Sequence, residues 1–183
     1  MAIFPKPYAD FVQRLRVPLG ILAAGGFGWF SQPTLRSLLT GFPVALAGMA
    51  LRSWAAGHLR KDETLTTSGP YAWVRNPLYL GTLLVAAGLA MAARNPALAL
   101  LFAMVFLLVY LPVIQLEEQH LRELFPEYEV YAHQVPALWP RLTAAPLGGA
   151  TRFRWSLYRK NQEYQAALGF AAGMLFLLWK AAR

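Results

Sequence analysis

The chain has 183 residues, 57% of them hydrophobic and only 14% charged, with a formal net charge of +8 and no cysteine. Soluble domains carry about 25% charged residues, so the composition reads as a membrane protein, and the positive charge reads as loops beside apolar helices rather than as a nucleic-acid surface. The lack of cysteine excludes disulfides, thiolate metal sites, cysteine nucleophiles and prenyl or palmitoyl attachment, and His58, His120 and His133 have no metal-binding spacing.

Five apolar runs follow in chain order: Val17 to Phe30, Leu38 to Ala56, Leu78 to Ala92, Pro96 to Ile114 and Tyr164 to Trp179. A bilayer core takes about 20 helical residues, so the first, third and fifth runs span only with flanks such as Tyr8 to Arg16 or Ser156 to Glu163. No small-x-small cleavage site follows the first run, which is therefore expected to be retained as a helix. The predicted fold is an all-α integral membrane bundle of about five transmembrane helices, read as a single domain over residues 1–183. If the loop after the second run faces the cytoplasm, only Arg36, Arg94, Lys180 and Arg183 of the 17 basic residues lie on the opposite side. The positive-inside rule selects that arrangement, which in a bacterium means the inner membrane with the active site facing the cytoplasm. It also places Leu59–Asn76 and Gln115–Glu163, the two polar stretches, on one side. The fifth run carries Gly169-x-x-x-Gly173, a helix-packing pattern expected mainly within the monomer, with a homodimer contact as the alternative.

Between the second and third runs stands "SGPYAWVRNPLYLG", Ser68 to Gly81. Gly69-Pro70 makes a turn, Asn76-Pro77 sets a helix start at Pro77, and the free first-turn N–H groups carry the positive end of the helix dipole. An anion fits there, with Arg75 and Asn76 as extra donors and Tyr79 and Gly81 one turn in. Read structurally, the same stretch is an interfacial turn with Arg75 snorkelling to headgroups and Gly81 admitting a neighbouring helix. Glu117-Glu118 follows the fourth run closely. Carboxylates near a membrane boundary need water or a partner, and adjacent helical residues diverge by about 100°. One Glu is therefore expected to face inward, unless both are solvated beside Arg122.

"RNPLYLG", a membrane hairpin and then "EE" resemble the RHPxYxG…EE pattern of the isoprenylcysteine carboxyl methyltransferases and phospholipid N-methyltransferases. "EEQHLRELFPEYEVYAHQVP" is similar to the tail of that pattern, and the likeness runs from about Leu46 to Arg141. It implies a membrane S-adenosylmethionine-dependent methyltransferase with a lipophilic acceptor that enters from the bilayer, either a prenyl-type carboxylate or a phospholipid amine. It assigns Glu117, Glu118 and Arg75 to catalysis, and Gly69, Tyr71, Asn76, Pro77, Tyr79, Gly81 and Glu118 to the cofactor. Tyr71, Trp73 and Tyr79 are also candidates to stack on adenine or to meet the sulfonium. Asn76 replaces the pattern's His and so excludes an imidazole base at this position. Ala137 stands where many relatives have Arg, and Arg141 is the candidate replacement. The alternatives are an NADPH-dependent membrane reductase of related architecture and a non-enzymatic membrane scaffold or lipid-binding protein.

Overall fold

The structure, a computed structural model, describes residues 4–147 and 151–183. Gly148 and Gly149, expected in a loop, and the side chain of Arg16 lie outside what is described. The described residues form helices and connecting loops without a strand: α1 (Lys6–Phe30), α2 (Leu35–Ala56), α3 (Pro77–Ala93), α4 (Pro96–Val105), α5 (Leu111–Leu124), α6 (Tyr128–Gln134), α7 (Trp155–Lys160) and α8 (Glu163–Ala181). The helix starts follow local chemistry. Thr34 and Ser37 form a reciprocal capping box ahead of α2, Asn95 caps α4 through the Ala97 N–H, and Pro77 and Pro96 open α3 and α4 where a missing N–H costs nothing.

A π-helical turn, Phe106–Tyr110, joins α4 to α5. Pro112 has no N–H to offer the Leu108 carbonyl, and that carbonyl accepts instead from the Tyr8 hydroxyl of α1 at 2.8 Å. Near the chain's start, the Phe4 backbone exchanges two hydrogen bonds with the Gln115 side chain, at 3.0 and 2.8 Å.

α2 and α3 cross at glycines spaced seven apart on each helix. A Cβ at Gly41 would lie 2.3 Å from the Gly88 carbonyl, and one at Gly48 would lie 2.6 Å from the Gly81 carbonyl. These contacts let the two backbones touch. Gly169 and Gly173 behave differently. A Cβ at either meets nothing within 4 Å, so the packing within the monomer expected for them is not what the fold uses.

The helices share two ends. At one, Ser37 Oγ of α2 donates to the Ala92 carbonyl of α3 at 2.8 Å, and Lys180 of α8 donates to the Gly28 carbonyl of α1 at 2.8 Å. Phe27, Leu38, Ala92, Ala93, Leu98, Met174 and Leu177 form an apolar core there. The other end gathers the close of α2, the start of α3, α5, α6, α7 and the start of α8, around a second core of Tyr128, Tyr131, Val135 and Ala145. Leu22, Leu100, Leu168 and Leu175 are all more than 60% exposed on the outer surface, a surface suited to lipid rather than water. Leu35–Ala56 and Pro96–Leu124 are long and apolar enough to cross a membrane, whereas Pro18–Phe30 and Pro77–Ala93 are apolar but shorter. The Ser156-to-Glu163 flank does not extend the last helix as expected. Gln162 adopts a left-handed conformation (φ 55°) that separates α7 from α8 and turns Glu163 inward.

Candidate functional site

A cavity of about 870 Å³ opens at the end where α2, α3, α5 and α8 converge. Its volume lies within the range of about 300 to 1,000 Å³ typical of small-molecule sites. Tyr71, Arg75, Asn76, Tyr79 and Glu117 line it, joined by Arg52, Thr82, Asn161 and Glu163.

The two sequence motifs meet beside this cavity. Arg75 donates to Glu118 through Nε (3.1 Å) and Nη2 (3.3 Å), and through Nη1 to the Ala132 carbonyl (2.7 Å). Asn76 Nδ2 donates to Glu118 Oε1 at 3.1 Å and to the Ala137 carbonyl at 3.2 Å. The anion that sits by the start of α3 is thus the protein's own carboxylate. The Arg75 and Glu118 side chains are only 14% and 13% exposed, so the pair is a buried clamp that fixes α3 to α5. Backbone bonds reinforce it, with the Arg75 N–H on the Pro136 carbonyl and the Asn76 N–H on the Ala137 carbonyl. Of the two adjacent glutamates, Glu118 turns to the clamp and Glu117 to the cavity, where it accepts the Tyr79 hydroxyl at 2.7 Å. The Tyr79 ring packs edge-on against Tyr110 in the π-helical turn.

Gly69, Pro77 and Gly81 do not line the cavity. A Cβ at Gly69, whose φ is +60°, would strike the His58 ring, and one at Gly81 would strike Arg52 Cγ at 2.5 Å. Both glycines shape the walls. His58 is buried between the Trp54 and Thr151 carbonyls, and His120 pairs with Asp62 at the exposed rim of the cavity. Arg141 points its guanidinium at the Gln134 carbonyl and lies outside the cavity, as does Trp73, whose carbonyl accepts from the Arg141 N–H.

Tyr71 is 7% exposed, and its hydroxyl has no hydrogen-bond partner among the described residues. Burial, followed by the nearby Tyr131, Glu117 and Glu163, holds this phenol well above its ordinary range, with Arg52 opposing. It therefore stays a neutral donor at any physiological pH. The sequence reading missed the group facing it. Arg52 binds Glu163 in a bidentate pair at 2.7 and 2.9 Å and also reaches Thr82 Oγ1. The signal was there: an Arg inside an apolar run and a Glu at the start of another need partners.

Within the cavity Glu117 offers negative charge, the tyrosines offer π faces, and the Tyr71 hydroxyl is a donor without a partner among the described residues. Residues 44–128 match the phospholipid methyltransferase family model. The chain is 36% identical over 140 residues to a protein-S-isoprenylcysteine O-methyltransferase of Schizosaccharomyces pombe, covering 72% of this chain and 58% of that protein. It is 38% identical over 117 residues to a cobalt-zinc-cadmium resistance protein of Cupriavidus metallidurans, covering 63% and 53% of the two chains. It is 36% identical over 143 residues to a nickel-cobalt-cadmium resistance protein of Alcaligenes xylosoxydans xylosoxydans, covering 77% and 60%. The chain therefore spans between half and two thirds of the length of these relatives. No solved structure matches it.

Proposed function

We propose, from the match of residues 44–128 to the phospholipid methyltransferase family model, that this chain is an S-adenosylmethionine-dependent methyltransferase that modifies a lipophilic acceptor at the cytosolic membrane face. The observation that carries the reading is the union of the two motifs. Arg75 and Asn76, from "RNPLYLG", close on Glu118, from "EE", and set Glu117 and Tyr79 into the cavity. In this reading α1, α2, α3, the α4–α5 rod and α8 are the five spans, and the excess of Lys and Arg holds the cavity end inside.

S-adenosylmethionine supplies a methyl group already activated by positive sulfur. The protein's task is then to position two partners and exclude water. Glu117 is placed to offset cationic charge, and its bond from Tyr79 fixes the carboxylate's direction. Arg75, Asn76 and Glu118 hold the α3 start against α5, so the cavity wall is organised before any ligand arrives. Asn76 holds no titratable proton and serves as a donor alone.

The test is methyl transfer. Membranes containing the chain, given S-adenosylmethionine labelled in its methyl group, pass label into the organic-extractable fraction. Glu117→Gln lowers that transfer at unchanged protein level. Label that stays in the aqueous phase for wild type and variant alike contradicts the reading.

A further inference from the structure

Arg52 and Glu163 stand apart from the clamp between α3 and α5, and they come from α2 and α8. α8 lies outside residues 44–128, the part matched to the family. Glu163 is 5% exposed. A buried ion pair is costly unless its remaining groups are satisfied, and this one borders open space in the cavity. Arg52 commits Nε and Nη2 to Glu163, and Nη1 to Thr82 Oγ1 and the Leu78 carbonyl. One of its five N–H groups remains. The Glu163 and Glu117 carboxylates keep unused lone pairs, since among the described residues Glu163 accepts from Arg52 alone and Glu117 from Tyr79. The buried Tyr71 hydroxyl lies within electrostatic reach of both glutamates and Arg52, and a hydroxyl left so buried is costly without a partner. Around this end, acceptors outnumber donors and the net charge of the three ionic groups is negative. Trp54, two residues after Arg52, and Tyr164, next to Glu163 in the chain, are exposed and add apolar surface.

We infer that Tyr71, Glu163 and Arg52 form a second end of the cavity, which binds the polar head of an amphiphile, a hydrogen-bond-donating head on an apolar tail. Tyr71 and Glu163 touch the head, and Glu163 also acts as a positioning residue for Arg52. On the methyltransferase reading above, that amphiphile is the methyl acceptor, held apart from the cofactor at an end completed by Glu163 of α8, which lies outside the family match.

The test uses the purified full chain in detergent with hexylamine as the probe and hexanoate as its control, with and without saturating S-adenosylhomocysteine. Hexylamine binds wild type in both conditions and more tightly than hexanoate does. Tyr71→Phe weakens hexylamine about tenfold and leaves the melting temperature unchanged or higher, because the hydroxyl has no bond among the described residues to lose. Glu163→Gln weakens hexylamine further, and Glu163→Asp restores part of the loss. The inference is overturned if wild type does not bind hexylamine, if hexanoate binds equally, or if Tyr71→Phe binds hexylamine like wild type. A Tyr71→Phe chain that melts earlier and loses both ligands also overturns it, since that marks a packing role. Failure of wild type to bind S-adenosylhomocysteine while hexylamine still binds refutes the methyltransferase reading instead.

Discussion

Glu118→Ala tests the clamp. In the native chain Glu118 accepts from Arg75 at 3.1 and 3.3 Å and from Asn76 at 3.1 Å. The substitution leaves the Arg75 guanidinium 14% exposed with the Ala132 carbonyl as its remaining close acceptor. Arg122, 4.0 Å from Glu118 and half-exposed, adds little. Removing one member of a buried pair costs about 3–5 kcal/mol, because the other charge stays buried. Against a typical total stability of about 5–15 kcal/mol, that is a large fraction. Glu118→Gln keeps the shape and one acceptor oxygen, so its cost is about 1–3 kcal/mol. Arg75→Ala with Glu118→Ala removes both charges, and the double variant is less destabilised than the sum of the singles, with a coupling of about 0.5–3 kcal/mol. Equilibrium unfolding of wild type and the four variants in one detergent measures all of this. A Glu118→Ala cost below about 1 kcal/mol, or strict additivity with Arg75→Ala, refutes the clamp.

Gly88→Ala places a Cβ 2.5 Å from the Ala45 N and the Gly41 carbonyl, both backbone atoms. α2 and α3 then separate at a cost of about 1–3 kcal/mol, while Gly173→Ala, which meets nothing within 4 Å, leaves detergent stability equal or higher; equal losses for the two contradict the crossing. Burial is the first cause raising the phenols of Tyr71, Tyr128 and Tyr131 above their ordinary range. Their contribution is therefore complete below pH 10, and stability falls above it by about 1.4 kcal/mol per pH unit per group, because the unfolded chain releases protons the fold retains. Tyr128→Phe makes that fall shallower in melting curves between pH 9 and 12, and an unchanged slope contradicts the assignment. Single cysteines at Lys61 and Leu142, both exposed at the cavity end, stay unlabelled by an impermeant thiol reagent outside intact cells, whereas one at Gln32, exposed at the opposite end, is labelled. Labelling of the first two from outside reverses the proposed topology.

Much of the frame was legible because it depends on local signals. The run from Leu38 to Ala56 predicted α2, and Asn76-Pro77 predicted where α3 starts. The sequence also brought Arg75, Asn76, Tyr79 and the two glutamates to one place. What it did not show was direction. Nothing local says that Arg75 and Asn76 turn onto Glu118 rather than outward to a ligand, because that choice is made by α5 packing against the α3 start. The Arg52–Glu163 pair escaped for a related reason. Its partners are 111 residues apart, and Glu163 reaches Arg52 only because Gln162 takes a left-handed φ that side-chain patterns do not reveal. The glycine pattern was weighed on the wrong helix. Gly169-x-x-x-Gly173 has the familiar spacing, but the close backbone contact is made by Gly41, Gly48, Gly81 and Gly88, seven apart on two helices.

The central claim is that the cavity beside the joined motifs holds S-adenosylmethionine. Titrating the purified chain with S-adenosylhomocysteine in a calorimeter, alongside melting curves, tests this most directly. One-to-one binding is expected, with stabilisation of about 2.7 kcal/mol at 100 times the dissociation constant, and with Glu117→Gln and Tyr79→Phe weakening the affinity without loss of fold. Neither heat nor a melting shift with S-adenosylhomocysteine, together with a clear shift from NADPH, would contradict it.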